Sequence, residues 1–268
     1  MYRDVGLPLT DLSPLLSLLR EGPFGLITDL DGTISPIAET PDQAVVSPAC
    51  RRHLETITPQ VALVAVVTGR TVEEARRIVG LEGIAYVGLH GFSLAMPPVW
   101  SEASMATYAV MCQSILEFLR HAITLPGVFL EDKGPLVAAH YRQAADPAAA
   151  RRAILDAVAA APMGRQFARH EGKMFVELRP PIPSVHKGSV VRHLAAQYGL
   201  RSVFYLGDDV TDADAFRALR EAADLQGASV VVSGPETPPE VLAAADYQVE
   251  GVDGVERLLG EMATALGP

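Results

Sequence analysis

Short, almost wholly apolar runs recur along the chain, and each gives way to a polar residue or a glycine. Gly25 to Thr28 leads into Asp29, Val61 to Val67 into Thr68, Ile84 to Leu89 into His90, and Ser202 to Leu206 into Gly207; Ala228 to Val232 forms a fifth run. Runs of this length that do not alternate apolar with polar positions predict strands buried on both faces, as in a parallel sheet. The segments between them carry helix signals. Ser47-Pro48 reads as an N-cap followed by proline at the first helical position. Thr71-Val72-Glu73-Glu74 reads as a capping box, with Gly80 as the stop. A further helix is expected from near Lys187 to Gly199, and Thr211 is a candidate cap for the next. Strand alternating with helix predicts an α/β fold with a doubly wound parallel sheet.

The middle of the chain changes rhythm. After Met96-Pro97-Pro98 a helical pattern runs from Ser101 to Ala122, followed by strand-like runs at Val128 to Asp132 and Leu136 to Arg142. An alanine-rich helix is expected from Asp146 to Ala161, then strands at Arg165 to His170 and Met174 to Arg179, and then Pro180-Pro181-Ile182-Pro183. This αββαββ unit, bracketed by prolines, is expected to be a second domain, residues 97–182, inserted into a core formed by residues 1–96 and 183–268.

Composition narrows the function. Lys and Arg number 22 against 32 Asp and Glu, a formal charge of −10. An acidic surface repels nucleic-acid phosphate and anionic lipid, so no nucleic acid and no membrane is expected as a partner. Cys50 and Cys112 have neither disulfide-framework nor metal-ligand spacing. No apolar run approaches a membrane span, and the first residues do not read as a signal peptide, so a soluble cytoplasmic protein is expected, as a monomer.

The strand ends carry the chemistry. In Asp29-Leu30-Asp31-Gly32-Thr33, residues i and i+2 of an extended chain point the same way, which sets two carboxylates at one carboxyl-terminal strand edge. Two acids so close suit a division into nucleophile and general acid or base; taken alone, the pair also fits a solvated turn. Gly207-Asp208-Asp209-Val210-Thr211-Asp212 adds three carboxylates at a second strand end, a charge density that calls for a cation, and hard oxygen donors favour Mg²⁺. Thr68, in Thr68-Gly69-Arg70, is placed either to donate to a phosphate oxygen or to cap the next helix. Lys187 begins a helix, where a cation opposes the dipole; a phosphate beside it would account for its position.

In this order, D-x-D-G-T, a strand-ending Thr, a Lys and G-D-D-x-T-D resemble the haloacid dehalogenase superfamily of phosphohydrolases, and the inserted segment resembles the α/β cap of its sugar-phosphatase branch. The resemblance implies that Asp29 attacks phosphorus, that Asp31 serves as general acid and then base, and that Thr68 and Lys187 hold the phosphoryl oxygens. It implies Mg²⁺ on Asp29, the Asp31 carbonyl and Asp208, with Asp209 or Asp212 assisting. Within the cap, Glu131-Asp132-Lys133-Gly134, His140-Tyr141-Arg142, Gly172-Lys173 and Glu177-Leu178-Arg179-Pro180 are similar to the trehalose-6-phosphate phosphatases, as are Asp29 to Ile37 and Gly88-Leu89-His90-Gly91. That similarity implies a phosphoric monoester hydrolase whose partner is a small sugar phosphate. It implies substrate contacts from Glu131, Lys133 and Glu177, with Arg142, Lys173, Gly69, Arg70 and His90 as further candidates. Phe92-Ser93-Leu94 and Ala213 depart from the family, which often has an acid soon after G-x-H-G and usually one after T-D. Sucrose 6-phosphate, a glucosylglycerol phosphate, or a non-catalytic sugar-phosphate sensor are the alternatives.

Overall fold

A computed structural model of the chain describes residues 7–9, 12–94, 96, 100–172, 174–235 and 237–267. Lys173 and the prolines at 97 and 98 therefore lie outside the described residues. The first part of the chain forms β1 (Leu7–Pro8), α1 (Ser13–Leu18), β2 (Phe24–Thr28), α2 (Pro48–Ile57), β3 (Leu63–Val67), α3 (Val72–Val79) and β4 (Ala85–Val87). Next come α4 (Glu102–Ala122), β5 (Phe129–Asp132), β6 (Val137–His140), α5 (Pro147–Ala160), β7 (Ala168–Gly172) and β8 (Phe175–Arg179). The last part forms α6 (Lys187–Tyr198), β9 (Ser202–Gly207), α7 (Val210–Glu221), β10 (Gln226–Ser233), α8 (Pro239–Ala244), β11 (Tyr247–Glu250) and α9 (Gly251–Leu266). The chain divides into two compact units, one running to Ser93 and resuming at Val185, the other spanning Leu94–Ser184.

The first unit is a seven-stranded sheet in the order β1-β11-β10-β9-β2-β3-β4, with every recorded pairing parallel. The five apolar runs are the strands β2, β3, β4, β9 and β10. The two-residue edge strand β1 and its neighbour β11 escape a search for apolar runs because β1 is very short and β11 is short and only partly buried. Alternate strand residues Leu26, Val64, Val66, Phe204, Leu206 and Val230 pack against Leu15 of α1, Cys50 and Leu54 of α2, and Leu259 and Met262 of α9. Each fully buried aliphatic side chain contributes about 1.5–3 kcal/mol. On the other face Tyr205 of β9 meets Phe216 of α7 edge-on, ring centroids 5.8 Å apart.

The caps follow the local sequence. Ser47 Oγ accepts from the backbone N–H of Ala49 and Cys50 at the start of α2. Thr71 and Glu74 form the capping box of α3, and Gly80 closes it in the left-handed conformation. Thr68 is thus not a helix cap. Thr211 is not the cap of α7 either: Asp209 is the N-cap, in extended conformation, and the Asp212 carboxylate accepts from its backbone N–H.

The second unit is a four-stranded antiparallel sheet in the order β5-β6-β8-β7. One face carries Val137, Ala139, Val176 and Leu178, and packs on Ile115 and Leu119 of α4 and Ile154 of α5. The register sets Glu131, Ala138, Glu177 and His170 side by side across all four strands, on the face away from those helices. No described helix is long and apolar enough to cross a membrane.

Candidate active site

Strands β2 and β9 are neighbours, with Thr28 opposite Leu206, while the connection after β2 leads to β3 on its other side. Their carboxyl ends therefore flank the point where strand order reverses, the place where open α/β sheets bind ligands. Asp29 follows β2, its backbone N–H still bonded to the Leu206 carbonyl at 2.8 Å. Asp208 follows β9. The tight approach of the two loops needs a residue without a side chain: at Gly32, with φ +81°, a Cβ would come within 2.2 Å of Asp208 Oδ2.

Lys187, buried at the start of α6, reaches both acidic loops. Its Nζ lies 3.0 Å from Asp29 Oδ2 and 2.7 Å from Asp212 Oδ1. Burial works against its charge, but Asp212 and Asp29 outweigh that and raise its pKa. A lysine opposing the helix dipole is thereby held by two carboxylates. Asp212 is the hub of this arrangement. Its Oδ1 accepts from Lys187 and from the Tyr205 hydroxyl at 2.7 Å, and its Oδ2 accepts from the backbone N–H groups of Asp208 at 3.1 Å and Asp209 at 3.0 Å. A carboxylate offers about four acceptor sites, so Asp212 is saturated by donors. Tyr205 was not singled out in the sequence. The available signal was a phenol within a wholly buried strand, where a hydroxyl must find a partner.

Asp29, Asp208 and Asp212 each bring an oxygen within 4.8 Å of the others, and all three are buried. Burial pushes the Asp29 carboxyl well above the ordinary range; Lys187 opposes this, and Asp212, Asp208 and Asp31 add to it. One lysine facing three buried carboxylates leaves the site short of positive charge. An oxygen-only, buried and negatively unbalanced donor set fits a hard divalent cation such as Mg²⁺.

Asp31 faces a different partner. Arg70 Nε and Nη2 donate to its two oxygens at 2.7 and 2.8 Å, a bidentate pair, and Arg70 Nη1 donates to the Pro41 carbonyl. Arg70 is thus engaged with the second acid of the D-x-D pair. Thr68, buried at the end of β3, accepts the Arg70 backbone N–H at 3.2 Å. Gly69 lies between them, against the ring of His90, which is buried.

In the second unit the structure brings together Glu131, Lys133 and Glu177. Lys133 Nζ lies 3.1 Å from Glu177 and 3.6 Å from Glu131; His140 Nε2 contacts Glu131 at 2.7 Å; Arg179 pairs with Glu177. Burial raises the Glu177 carboxyl, but Lys133 and Arg179 outweigh it and hold it at about 2. Burial likewise opposes the charge on Glu131, but His140 and Lys133 outweigh it and hold its carboxyl below the ordinary value. Arg142 follows the end of β6 and is half-buried.

Residues 27–253 match the family model described as trehalose-phosphatase. A trehalose-phosphate phosphatase of Mycobacterium marinum is 33% identical over 246 residues, covering 89% of this chain and 61% of the relative. One from Mycobacterium tuberculosis is 36% identical over 196 residues, covering 70% and 49%. The chain spans between about half and three fifths of the length of these relatives. Among solved structures, the C-terminal domain of Candida albicans trehalose-6-phosphate phosphatase superposes with a TM-score of 0.76 at 20% identity, over 97% of this chain and 99% of that one, which shows a shared fold. On the match across residues 27–253, this chain belongs to the trehalose-phosphatase family.

Proposed function

We propose that this chain is a Mg²⁺-dependent phosphatase that hydrolyses trehalose 6-phosphate to trehalose and phosphate. The first unit is the catalytic core and the second the cap. The observation that carries this reading is the convergence of Asp29, Lys187, Asp208 and Asp212 at the reversal point of the sheet. Asp29, the Asp31 carbonyl and Asp208 would ligate Mg²⁺, because Asp212 is already saturated; Asp209 assists from the same loop. When bound, the ion supplies the positive charge the site lacks and neutralises charge on the phosphoryl group.

An Asp29 carboxylate oxygen attacks phosphorus, the bond from phosphorus to the sugar oxygen breaks, and Asp31 gives its proton to that oxygen. Water then attacks the aspartyl-phosphate, losing a proton to Asp31 and returning Asp29 with inorganic phosphate. Both Asp31 oxygens accept from Arg70 in the structure, so proton donation requires one of these hydrogen bonds to open. Lys187 and Thr68 hold the phosphoryl oxygens where charge accumulates. Uncatalysed phosphate monoester hydrolysis is slow enough to need accelerations of up to ~10²¹, which a covalent intermediate divides into two smaller barriers. Glu131, Lys133 and Glu177 supply hydrogen-bonding groups for the sugar hydroxyls.

The test is phosphate release from a panel of trehalose 6-phosphate, sucrose 6-phosphate, glucose 6-phosphate and an aryl phosphate, with Mg²⁺ and with EDTA. Mg²⁺-dependent release from trehalose 6-phosphate far above the others is expected. Equal release across the panel would remove the sugar assignment, and release from none would remove the phosphatase reading.

A further inference from the structure

Two consecutive residues without glycine's freedom, Leu89 and His90, take positive φ values of 56° and 55°. Residues other than glycine seldom adopt this left-handed conformation; His does so more readily than Leu, but two such residues in succession persist only where surrounding structure imposes them. Here two backbone bonds impose it. The Leu89 N–H donates to the Arg70 carbonyl at 2.8 Å, and the His90 N–H donates to the Thr68 carbonyl at 2.9 Å. The turn also seats the imidazole on Gly69: a Cβ at that position would lie 2.4 Å from His90 Nε2. The three residues so gripped are Thr68, Gly69 and Arg70. Thr68 carries the hydroxyl assigned to the phosphoryl group, and Arg70 holds both oxygens of Asp31.

We propose that the Leu89–His90 turn is a clamp, and that His90 is a positioning residue: its ring, seated on Gly69, fixes the Thr68–Arg70 loop and through it the Thr68 hydroxyl and the guanidinium partner of Asp31. This deepens the phosphatase reading and rests on it for its catalytic consequence. The clamp acts through Thr68 and the partner of Asp31, groups assigned to the phosphoryl end, so its loss should be felt alike by every phosphate ester. A misplacement of about 1 Å at a reacting group costs on the order of 10²-fold in rate.

His90→Gly keeps the left-handed turn accessible and removes the ring. It should lower kcat by about 10- to 100-fold on trehalose 6-phosphate and on an aryl phosphate alike, with KM little changed. A loss confined to trehalose 6-phosphate would make His90 a sugar contact and overturn the proposal. His90→Asn, a residue tolerant of this backbone region, should show the same pattern and serves if the glycine variant folds poorly. Gly69→Ala should lower kcat in the wild type by driving a methyl group into the ring, and should cost less in the His90→Gly background; equal costs in both would overturn the clamp. Amide exchange across residues 68–71 should quicken in His90→Gly irrespective of activity. Unchanged exchange overturns the clamp, whereas quickened exchange in a protein that hydrolyses no phosphate ester would overturn the phosphatase reading and leave the clamp standing.

Discussion

Each unit of this protein buries a lysine among carboxylates, and the two clusters resolve their charge in opposite ways. In the first unit, Lys187 pairs with Asp29 and Asp212, Asp208 lies close to both, and Asp29 is pushed well above its ordinary pKa by burial and by its acidic neighbours. On the antiparallel sheet, Glu131 and Glu177 share Lys133, His140 and Arg179, and Glu177 is held at about 2. Burial weighs against both carboxylates; the difference is the number of donors and cations supplied. In the second cluster each carboxylate meets a cation. In the first, carboxylates outnumber the cation that pairs with them, an arrangement that could hold a metal ion and that costs stability without one.

That contrast can be broken most forcefully at Asp29. Asp29→Asn should abolish phosphate release, by at least about 10⁴-fold, in a steady-state assay. In EDTA it should also raise the melting temperature, because it removes one of three facing carboxylates while Lys187 keeps Asp212. Glu177→Gln should act in the opposite direction. It strips one partner from a buried network and should destabilise the fold by about 3–5 kcal/mol in urea denaturation. Were both variants to shift stability the same way, the two clusters would not differ as described.

Mg²⁺ should stabilise the wild type by about 2.7 kcal/mol at a hundredfold excess over its dissociation constant, read as a rise in melting temperature. The rise should vanish in Asp208→Asn and survive in Glu177→Gln. The pH dependence sharpens the same contrast. The folded value for Glu177 of about 2 lies below its ordinary 4.5. Its contribution of ~3 kcal/mol is therefore complete above pH 4.5 and is lost as the pH falls through 2. Asp29 is raised instead, so its penalty is relieved as the pH falls. Wild type and Glu177→Gln should therefore differ in stability at pH 7 and converge under strong acid. The smallest effect concerns selectivity. Lys133→Ala should weaken hydrolysis of trehalose 6-phosphate about tenfold more than that of an aryl phosphate, a difference of ~1.4 kcal/mol in kcat/KM. Equal losses would remove the cluster from sugar recognition.

Much of this was legible in the chain. Nearly unbroken apolar runs followed by Asp29, Thr68 and Gly207-Asp208 announce buried parallel strands with polar carboxyl ends, because a strand covered on both faces has little place for a charged side chain until it leaves the sheet. The caps at Ser47 and Thr71 were equally plain, since a cap is settled within four residues. The cap of α7 is ambiguous in the sequence because Thr211 and Asp209 are both competent, and the folded loop, with the Asp212 carboxylate accepting from the Asp209 backbone N–H, puts Asp209 there.

Sequence alone determined the strand–helix alternation, the two acidic strand ends, the inserted αββαββ unit and the family resemblance, all of which depend on residue type and local spacing. Tertiary structure alone decided which charges meet. Asp31 and Arg70 are joined across 39 positions, Lys187 and Asp212 across 25, and Lys133 and Glu177 across 44. It also set the ring of His90 on Gly69 and the hydroxyl of Tyr205 on Asp212. Local propensity carries no information about such pairs. They are fixed by the order of strands in the sheet, which brings distant loops to one edge where burial makes every unmatched charge costly.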